Sequence, residues 1–191
     1  MTRTYRLKKR AETQAETRQR IVEAAVDLHS TLGPARTTFS MVAEKAGVQR
    51  HTLYAHFPDE RALLVACSGL AMERDPLPDV APWRAITDRS ERLRAVLTAL
   101  YDWYGRNADL AACVLRDAEY HALTRESVER SMGPFFKAYE EVLRTGMSPR
   151  QRALLQLAFS FHTWRTLVQQ AGLKQAAAVE AMIEVVEGGQ A

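Results

Sequence analysis

The sequence predicts an all-α protein with a small N-terminal domain and a larger C-terminal helical bundle. Ala, Leu, Arg and Glu dominate the 191 residues, whereas Gly and Pro number only 9 and 7, and this composition favours helix. Apolar residues recur at helical spacing along most of the chain, and no segment of useful length shows the strict alternation of a strand. Hydrophobic residues make up 47% and charged residues 26%, as in an ordinary globular protein.

Four helices are predicted before residue 75, over residues 12–32, 39–46, 49–57 and 58–74. Gly33-Pro34 ends the first of them, because proline cannot continue a helix. Thr38 is the predicted N-cap of the second helix, and Gly47 follows its last turn. Pro58 is predicted in the first turn of the fourth helix, where its missing N–H costs nothing.

The segment "DPLPDVAPW", residues 75–83, contains three prolines and therefore marks the predicted domain junction. Five longer amphipathic helices are predicted beyond it, over residues 87–105, 109–122, 124–145, 149–171 and 173–187, with a kink at Gly133-Pro134. About nine helices result. They divide into a basic arm with a DNA-binding domain (1–57), a connecting helix (58–74) and a C-terminal ligand-binding and dimerisation domain (75–191).

Two short helices that meet at Gly47-Val48, behind a longer helix, predict a helix-turn-helix. In the second short helix Leu53 and Phe57 face inward. The polar side chains therefore face outward: Gln49, Arg50, His51, Thr52, Tyr54 and His56. DNA offers this surface phosphate oxygens for hydroxyl and imidazole groups, and base edges for Gln and Arg. The alternative is a helical hairpin whose polar face contacts only water.

Basic residues are concentrated around this motif. Residues 1–61 contain 11 Lys and Arg against 7 Asp and Glu, whereas the remainder contains 15 against 16. The first ten residues hold five basic side chains and no acidic one. Such a segment suits a polyanion such as DNA. A disordered, solubilising tail is the alternative.

The segment "TTFSMVAEKAGVQRHTLYAHFPDERALL" (37–64), preceded by "TRQRIVEAAVDLHSTLG" (17–33), resembles the DNA-binding domain of the TetR (tetracycline-repressor) family of bacterial transcription regulators. The resemblance covers about the first seventy residues, and its "AGV…TLY.HF" core is specific. It implies a regulator, here expected to be a repressor, that binds a palindromic operator in double-stranded DNA as a homodimer. It also implies that a small-molecule effector releases the operator.

The resemblance implies particular DNA contacts. Thr38, Thr52, Tyr54 and His56 match phosphate-contacting positions, Gln49, Arg50 and His51 match base-reading positions, and Ser40 matches a position that also reaches DNA. Two positions depart from the family pattern. A small residue is common where this chain has His51. A basic residue frequently pairs with phosphate where this chain has Glu60, and we expect neighbouring Arg61 to take over that contact.

The C-terminal half is expected to bind the effector and to dimerise, because the resemblance implies a homodimer formed by the last two helices. The segment "LLQLAFSFHTWRTLV" (154–168) is apolar on too much of its circumference for the surface of a monomer. A core helix within one subunit is the alternative. A pocket for an apolar or aromatic ligand would draw on Trp103, Tyr104, Cys113, Arg116, His121, Phe135, Phe136, Tyr139, Phe159 and His162. A plain aromatic core is the alternative there.

No motif indicates catalysis, a metal or a cofactor. Gly-rich phosphate loops, nucleophile elbows, HExxH and CxxC are absent from the sequence. A helical enzyme using residues such as Asp117 and His162, and a DNA-binding protein without small-molecule control, are the alternatives to a ligand-responsive regulator. The two cysteines are predicted to be reduced thiols. Without a long apolar run or an apolar leader, the expected protein is cytoplasmic and has no membrane segment.

Overall fold

The computed structural model describes residues 3–188, with side chains from Leu7 onward, and this part of the chain is all-α, as predicted. Ten α-helices and no strand occur within it: α1 (Arg3–Thr31), α2 (Phe39–Ala46), α3 (Arg50–His56), α4 (Glu60–Arg74), α5 (Arg89–Arg106), α6 (Ala108–Ala118), α7 (Ala122–Leu143), α8 (Pro149–Phe159), α9 (Phe161–Trp164) and α10 (Gln175–Glu187). Short 3-10 helices cover Pro34–Arg36 and Ala81–Ala85, and a π-helical stretch, Arg165–Gln170, continues α9.

The described chain forms two compact units. The first contains the residues up to Arg74 together with Ala112–Ser131, and the second contains Asp75–Ala111 and the residues from Met132 onward. The sequence pattern places 112–131 in the C-terminal domain, but in the structure this segment belongs to the first unit. Contacts within that unit include a 2.7 Å approach between the hydroxyls of Ser68 and Ser127.

Several helix boundaries differ from the prediction, and two of these differences are large. α1 begins at Arg3 rather than at residue 12, because residues 3–11 are mostly good helix formers. The single helix predicted over 149–171 is interrupted at Ser160, whose backbone is extended and whose hydroxyl accepts a hydrogen bond from the N–H of His162 at 3.2 Å. This interruption accounts for ten helices where about nine were expected. Gly133-Pro134 does not end α7, which continues through it.

The core of the first unit lies between α1, α2, α3 and α4. Leu53 and Phe57 are 0% and 1% exposed, which confirms the inward side of the second short helix. They pack in one apolar cluster with Ile21, Ala25, Val42, Leu63 and Cys67. Burial raises the pKa of the Cys67 thiol to about 12, although nearby Arg18 opposes the shift. The thiol is therefore protonated and unreactive near neutral pH.

The core of the second unit is built from α5, α8, α9 and α10 and is rich in aromatic residues. The last carbonyls of a helix lack donors within it. At the end of α8 two tyrosines of α5 supply the missing donors. The Tyr101 hydroxyl donates to the carbonyl of Ala158 at 3.0 Å, and the Tyr104 hydroxyl donates to the carbonyl of Phe159 at 2.5 Å. Within residues 3–188 no helix has the length and apolar character needed to cross a membrane.

Candidate nucleic-acid interface

The turn between α2 and α3 has the geometry of a tight helix-turn-helix elbow. Thr38 caps α2 as predicted, because its hydroxyl accepts the N–H of Met41 at 3.3 Å. Gly47 ends α2 with φ 64°, in the left-handed region that glycine adopts without a Cβ penalty. The N–H of Val48 then donates to the carbonyl of Ala43 at 3.0 Å, completing a Schellman-type C-cap. These local bonds set the angle at which α3 leaves α2.

α3 presents the predicted outward side chains on one surface. We call this surface the α3 face: Gln49, Arg50, His51 and Tyr54 are exposed, and Thr52 and His56 are half-buried. Thr38 and Ser40, at the start of α2, are also exposed. The structure therefore leaves these predicted DNA-contacting residues available to a partner. Their contact with DNA stays a prediction.

Two aromatic contacts that sequence reasoning missed support the α3 face. The ring of Phe39, at the start of α2, lies 5.1 Å from the ring of Tyr54. The guanidinium of Arg18 lies 4.9 Å from the centre of the Phe57 ring. Such contacts each contribute on the order of 0.5–1.5 kcal/mol. Helical spacing suggests that Phe39 points inward, but it does not identify Tyr54 as its neighbour.

The start of α4 differs from the prediction. Pro58 precedes the helix, and Asp59 is its N-cap, since the Asp59 carboxylate accepts the N–H of Ala62 at 2.8 Å. Glu60, which stands where a basic residue was expected, lies 3.4 Å from Nε2 of His121. The carboxyl groups of Asp59 and Glu60 make this helix start unattractive to a phosphate.

Arg61, the expected replacement for the missing phosphate contact, is paired within the protein. Its guanidinium forms an ion pair with the carboxylate of Glu126 on α7, and both side chains are about half-exposed. Exposed pairs of this kind contribute only about 0–1 kcal/mol, so a phosphate could compete for the arginine. Arg61 therefore remains available to DNA only at the expense of this pair.

The basic segment at the N-terminus is helical where it is described. Lys8, Lys9 and Arg10 are exposed on α1. The side chains of residues 1–6, which carry the other two basic residues of the segment, lie outside the described part. Contact of this segment with DNA stays a prediction.

Three of the residues predicted to bind a ligand lie in the first unit and contact protein groups there. The Arg116 guanidinium donates to the carbonyl of Leu32 at 2.8 Å. The Cys113 thiol lies 3.5 Å from the carbonyl of Ser30, and Nδ1 of His121 lies 2.7 Å from the hydroxyl of Thr124. The side chain of Arg116 is 43% exposed. All three have structural roles at this location.

The other seven predicted ligand residues lie in the second unit. Trp103, Tyr104, Tyr139 and Phe159 are buried, Phe135 and Phe136 are half-buried, and His162 is exposed with its ring 5.8 Å from that of Phe161. The structure brings Phe136, Tyr139 and Phe159 together, with ring centres 5.8–6.2 Å apart. The indole N–H of Trp103 donates to the carbonyl of Asp75, and the hydroxyl of Tyr139 donates to the carbonyl of Pro78. These aromatic groups thus form a core, and ligand contact by them stays a prediction.

Residues 21–67, which contain the helix-turn-helix just described, match the family model for "Bacterial regulatory proteins, tetR family". The helix-turn-helix segment of this chain is therefore of the TetR type. Two curated relatives from Pseudomonas putida support the assignment, each 36% identical over 87 residues and 41% of this chain. They are the HTH-type transcriptional regulator SrpR and the uncharacterized HTH-type transcriptional regulator TtgW. The match covers 40% of SrpR and 63% of TtgW, which is less than two thirds of the length of either relative.

The TetR fold of the chain extends beyond the matched residues. FadR from Bacillus subtilis, solved in complex with stearoyl-CoA, aligns with a TM-score of 0.65 at 16% identity, over 91% of this chain and 99% of that one. A TetR-like transcriptional regulator from Rhodococcus sp. RHA1 aligns with a TM-score of 0.65 at 21% identity, over 91% and 94%. At these identities the likeness concerns the fold alone.

Proposed function

We propose that this chain is a TetR-family transcriptional regulator, acting as a repressor, that binds a palindromic DNA operator as a homodimer through the α3 face. The observation that carries the proposal is the arrangement of α3. Buried Leu53 and Phe57 anchor the helix in the first unit, and its remaining side chains, which are polar except for Ala55, are exposed or half-buried. Binding to chromosomal DNA places the regulator in the cytoplasm.

The first turn of α3 supports base reading. An α-helix fits the major groove of B-DNA, and helix-turn-helix proteins contact base edges with the N-terminal residues of their second helix. In this chain those residues are Gln49, Arg50 and His51, all exposed. Arginine can bind guanine with two hydrogen bonds, and glutamine can do the same with adenine.

Hydroxyl and imidazole groups around this turn support phosphate contact. Thr38 and Ser40 lie at the start of α2, and Thr52, Tyr54 and His56 lie along α3. Contacts to phosphate fix the register and orientation of the protein on DNA without selecting a sequence. The tilted contact of the Phe39 ring with the Tyr54 ring supports the tyrosine, which suits this positioning role.

Apolar residues on the last helices support a homodimer. Leu157 on α8 is 49% exposed, Val185 on α10 is 37% exposed, and Leu173 before α10 is 39% exposed. Phe161, in the same apolar segment 154–168, is 2% exposed and packs on Trp164, so it belongs to the core. A two-fold dimer would bury the exposed leucines and place two α3 helices about one DNA turn (~34 Å) apart.

The aromatic composition of the second unit favours an apolar small molecule as the effector. Its helices carry the aromatic groups around Phe136 and Phe159, and the structurally similar FadR of Bacillus subtilis was solved with stearoyl-CoA. An effector must bind the free and DNA-bound states with different affinity, because equal affinity shifts no equilibrium. Calorimetry of a ligand hit with and without operator tests this. Identical affinities in the two titrations would exclude that ligand as the release signal.

Gel-shift and footprinting assays with DNA from upstream of the chain's own gene and its neighbours test the proposal. We expect one protected, approximately palindromic site at moderate salt. Arg50→Ala should weaken protection of this site, whereas Arg84→Ala, which removes the same charge from an exposed position in the second unit, should preserve it. Failure of the unaltered protein to protect any discrete site would refute the proposed function.

A further inference from the structure

A buried carboxylate holds the turn that leads into the helix-turn-helix. Asp117, near the end of α6, is 0% exposed. Its Oδ2 accepts the backbone N–H of Ala35 at 2.9 Å. Its Oδ1 accepts the hydroxyl of Tyr120 at 2.7 Å and Nε of Arg116 at 2.9 Å. Both oxygens are therefore used, and one of them bonds directly to the backbone between α1 and α2.

The close approach of this carboxylate depends on Gly33. A Cβ at this position would overlap the carboxylate of Asp117 and the guanidinium of Arg116, and the φ of Gly33 is 95°, a conformation that other residues rarely adopt. The same guanidinium donates to the carbonyl of Leu32. Two side chains from the end of α6 thus bond to the turn on both sides of the glycine, at Leu32 and at Ala35.

The charge of Asp117 is maintained despite its burial. Burial by itself would raise the pKa of this carboxyl, but the bonds from Tyr120, from the Ala35 N–H and from Arg116 outweigh it, and the pKa lies below its usual range. His29, 5% exposed, is neutral at pH 7, because burial lowers its pKa to about 4 even though Asp117 opposes the shift. The turn is therefore held by an ionised carboxylate.

The turn is connected to the α3 face by short-range contacts. Thr37 follows it, and its hydroxyl donates to the carbonyl of Gly33 at 2.8 Å. The next residue, Thr38, is the N-cap of α2, and the ring of the residue after it, Phe39, contacts the ring of Tyr54 on α3. A shift at Ala35 therefore changes the start of α2 and the support of Tyr54.

We propose that Asp117 is a positioning residue for DNA binding, which acts by fixing the turn at Gly33–Arg36 and hence the α2 N-cap and the α3 face. The proposal rests on the proposed function, because it concerns binding to the same operator. It assigns to α6 a role in placing the phosphate-contacting groups, although Asp117 itself touches no DNA.

The electrostatic and positioning effects of Asp117 on DNA binding have opposite signs. Removing one negative charge from a protein favours binding to a polyanion, whichever carboxylate is removed. Loss of the bond to Ala35 loosens the turn and disfavours binding. Asp117→Asn retains the size of the side chain, but its single carbonyl oxygen cannot serve the donors on both sides. Weaker operator binding by Asp117→Asn would therefore result from displacement of the turn and not from the change in charge.

Asp75→Asn is a matched control in the second unit. Asp75 accepts Nε and Nη2 of Arg106 at 2.9 and 3.0 Å and the Asn107 amide at 2.7 Å, and its pKa is also lowered, chiefly by the bond from Arg106. The two substitutions remove the same charge and each disrupt an arginine pair. Operator affinity is measured by fluorescence anisotropy, at a temperature at which circular dichroism shows each protein fully folded.

Asp117→Asn is expected to bind the operator about tenfold more weakly than the unaltered protein, the effect of about 1.4 kcal/mol lost at one buried hydrogen bond. Asp75→Asn is expected to bind at least as tightly as the unaltered protein. Equal affinity of Asp117→Asn and the unaltered protein would overturn the proposal, and so would an equal loss in both variants.

Tyr120→Phe keeps the proposal testable if Asp117→Asn does not fold. It removes one donor from Asp117 and leaves a ring that is largely exposed, and we expect a loss of about two- to threefold. Unchanged affinity of this variant would then overturn the proposal. Failure of the proposed function gives a different result, because the unaltered protein would then bind no discrete DNA site at all.

Discussion

Arg50 and Tyr54 lie one turn apart on α3, and both side chains are exposed. We expect Arg50→Ala to cost about 1–3 kcal/mol on the operator and to relax preference at one base pair, because arginine reads guanine with two hydrogen bonds. Tyr54→Phe should weaken operator and random DNA alike, since only a phosphate bond is lost. Anisotropy titrations with both DNAs measure the two effects. The same loss on both DNAs for Arg50→Ala would contradict base reading.

The pair between Arg61 and Glu126 makes a separate prediction about phosphate contact. Glu126→Gln frees the arginine, so DNA affinity should rise by about two- to threefold, the scale of one exposed ion pair. Glu129→Gln removes the same charge from an exposed position on the same helix, and it should raise affinity less. The gain should disappear in Arg61→Ala. If the two glutamine variants gain equally, Arg61 does not contact phosphate.

His29 makes the stability of the protein depend on pH. Burial lowers its pKa to about 4, whereas the unfolded value is about 6.5. Between these pH values the unfolded chain binds a proton at His29 that the folded chain excludes. The contribution of neutral His29 to the free energy of unfolding is therefore complete above about pH 6.5 and is lost as pH falls toward 4. We expect it to decrease by about 2 kcal/mol from pH 7 to pH 5. Urea unfolding of the unaltered protein and of His29→Leu at both pH values measures it, and an equal decrease in both would contradict the assignment.

At the scale of elements, Gly47 controls the connection of α2 to α3. A Cβ there would meet nothing within 4 Å, so the cost of Gly47→Ala comes from its φ of 64° alone and should be about 1–2 kcal/mol. Gly133→Ala is the matched substitution within α7, also without a neighbour within 4 Å, and it should stabilise the protein by about 0.4–1 kcal/mol. Thermal unfolding of both variants measures the difference. If both variants are destabilised, the loss of stability comes from steric contact of the added methyl group and not from the backbone conformation of Gly47.

Helix caps and helix interruptions differ in what determines them. The N-cap at Thr38 and the αL glycine at Gly47 follow from residues within the same turn, and the structure confirms both. The interruption at Ser160 has no comparable local signal, because serine occurs at many helical positions. It is stabilised by Tyr101 and Tyr104, which satisfy the carbonyls exposed at the end of α8 from more than fifty residues away.

At the scale of the whole molecule, the homodimer is the main expectation. Leu157 is nearly half-exposed on α8, and a charge there would be buried against the partner in the proposed dimer. We expect Leu157→Glu to be monomeric by light scattering and to lose tight operator binding. Val65→Glu places the same charge on a 41% exposed residue of α4 and should remain dimeric. A dimeric, operator-binding Leu157→Glu would place the interface elsewhere.

The sequence by itself determined the all-α class, most helix positions, the helix-turn-helix and the polar composition of the α3 face. These features depend on periodicity and capping within a few residues, and such local interactions can be predicted from the sequence. The family resemblance rested on the same local segment, and the match over residues 21–67 confirmed it.

The tertiary structure decided which distant groups meet. It paired Glu60 with His121 and Arg61 with Glu126, placed Asp117 against the backbone of Ala35, and joined 112–131 to the unit that contains the helix-turn-helix. Each contact joins residues more than sixty positions apart. Helical periodicity assigns a side chain to a face of its own helix, whereas its partner depends on how the helices pack.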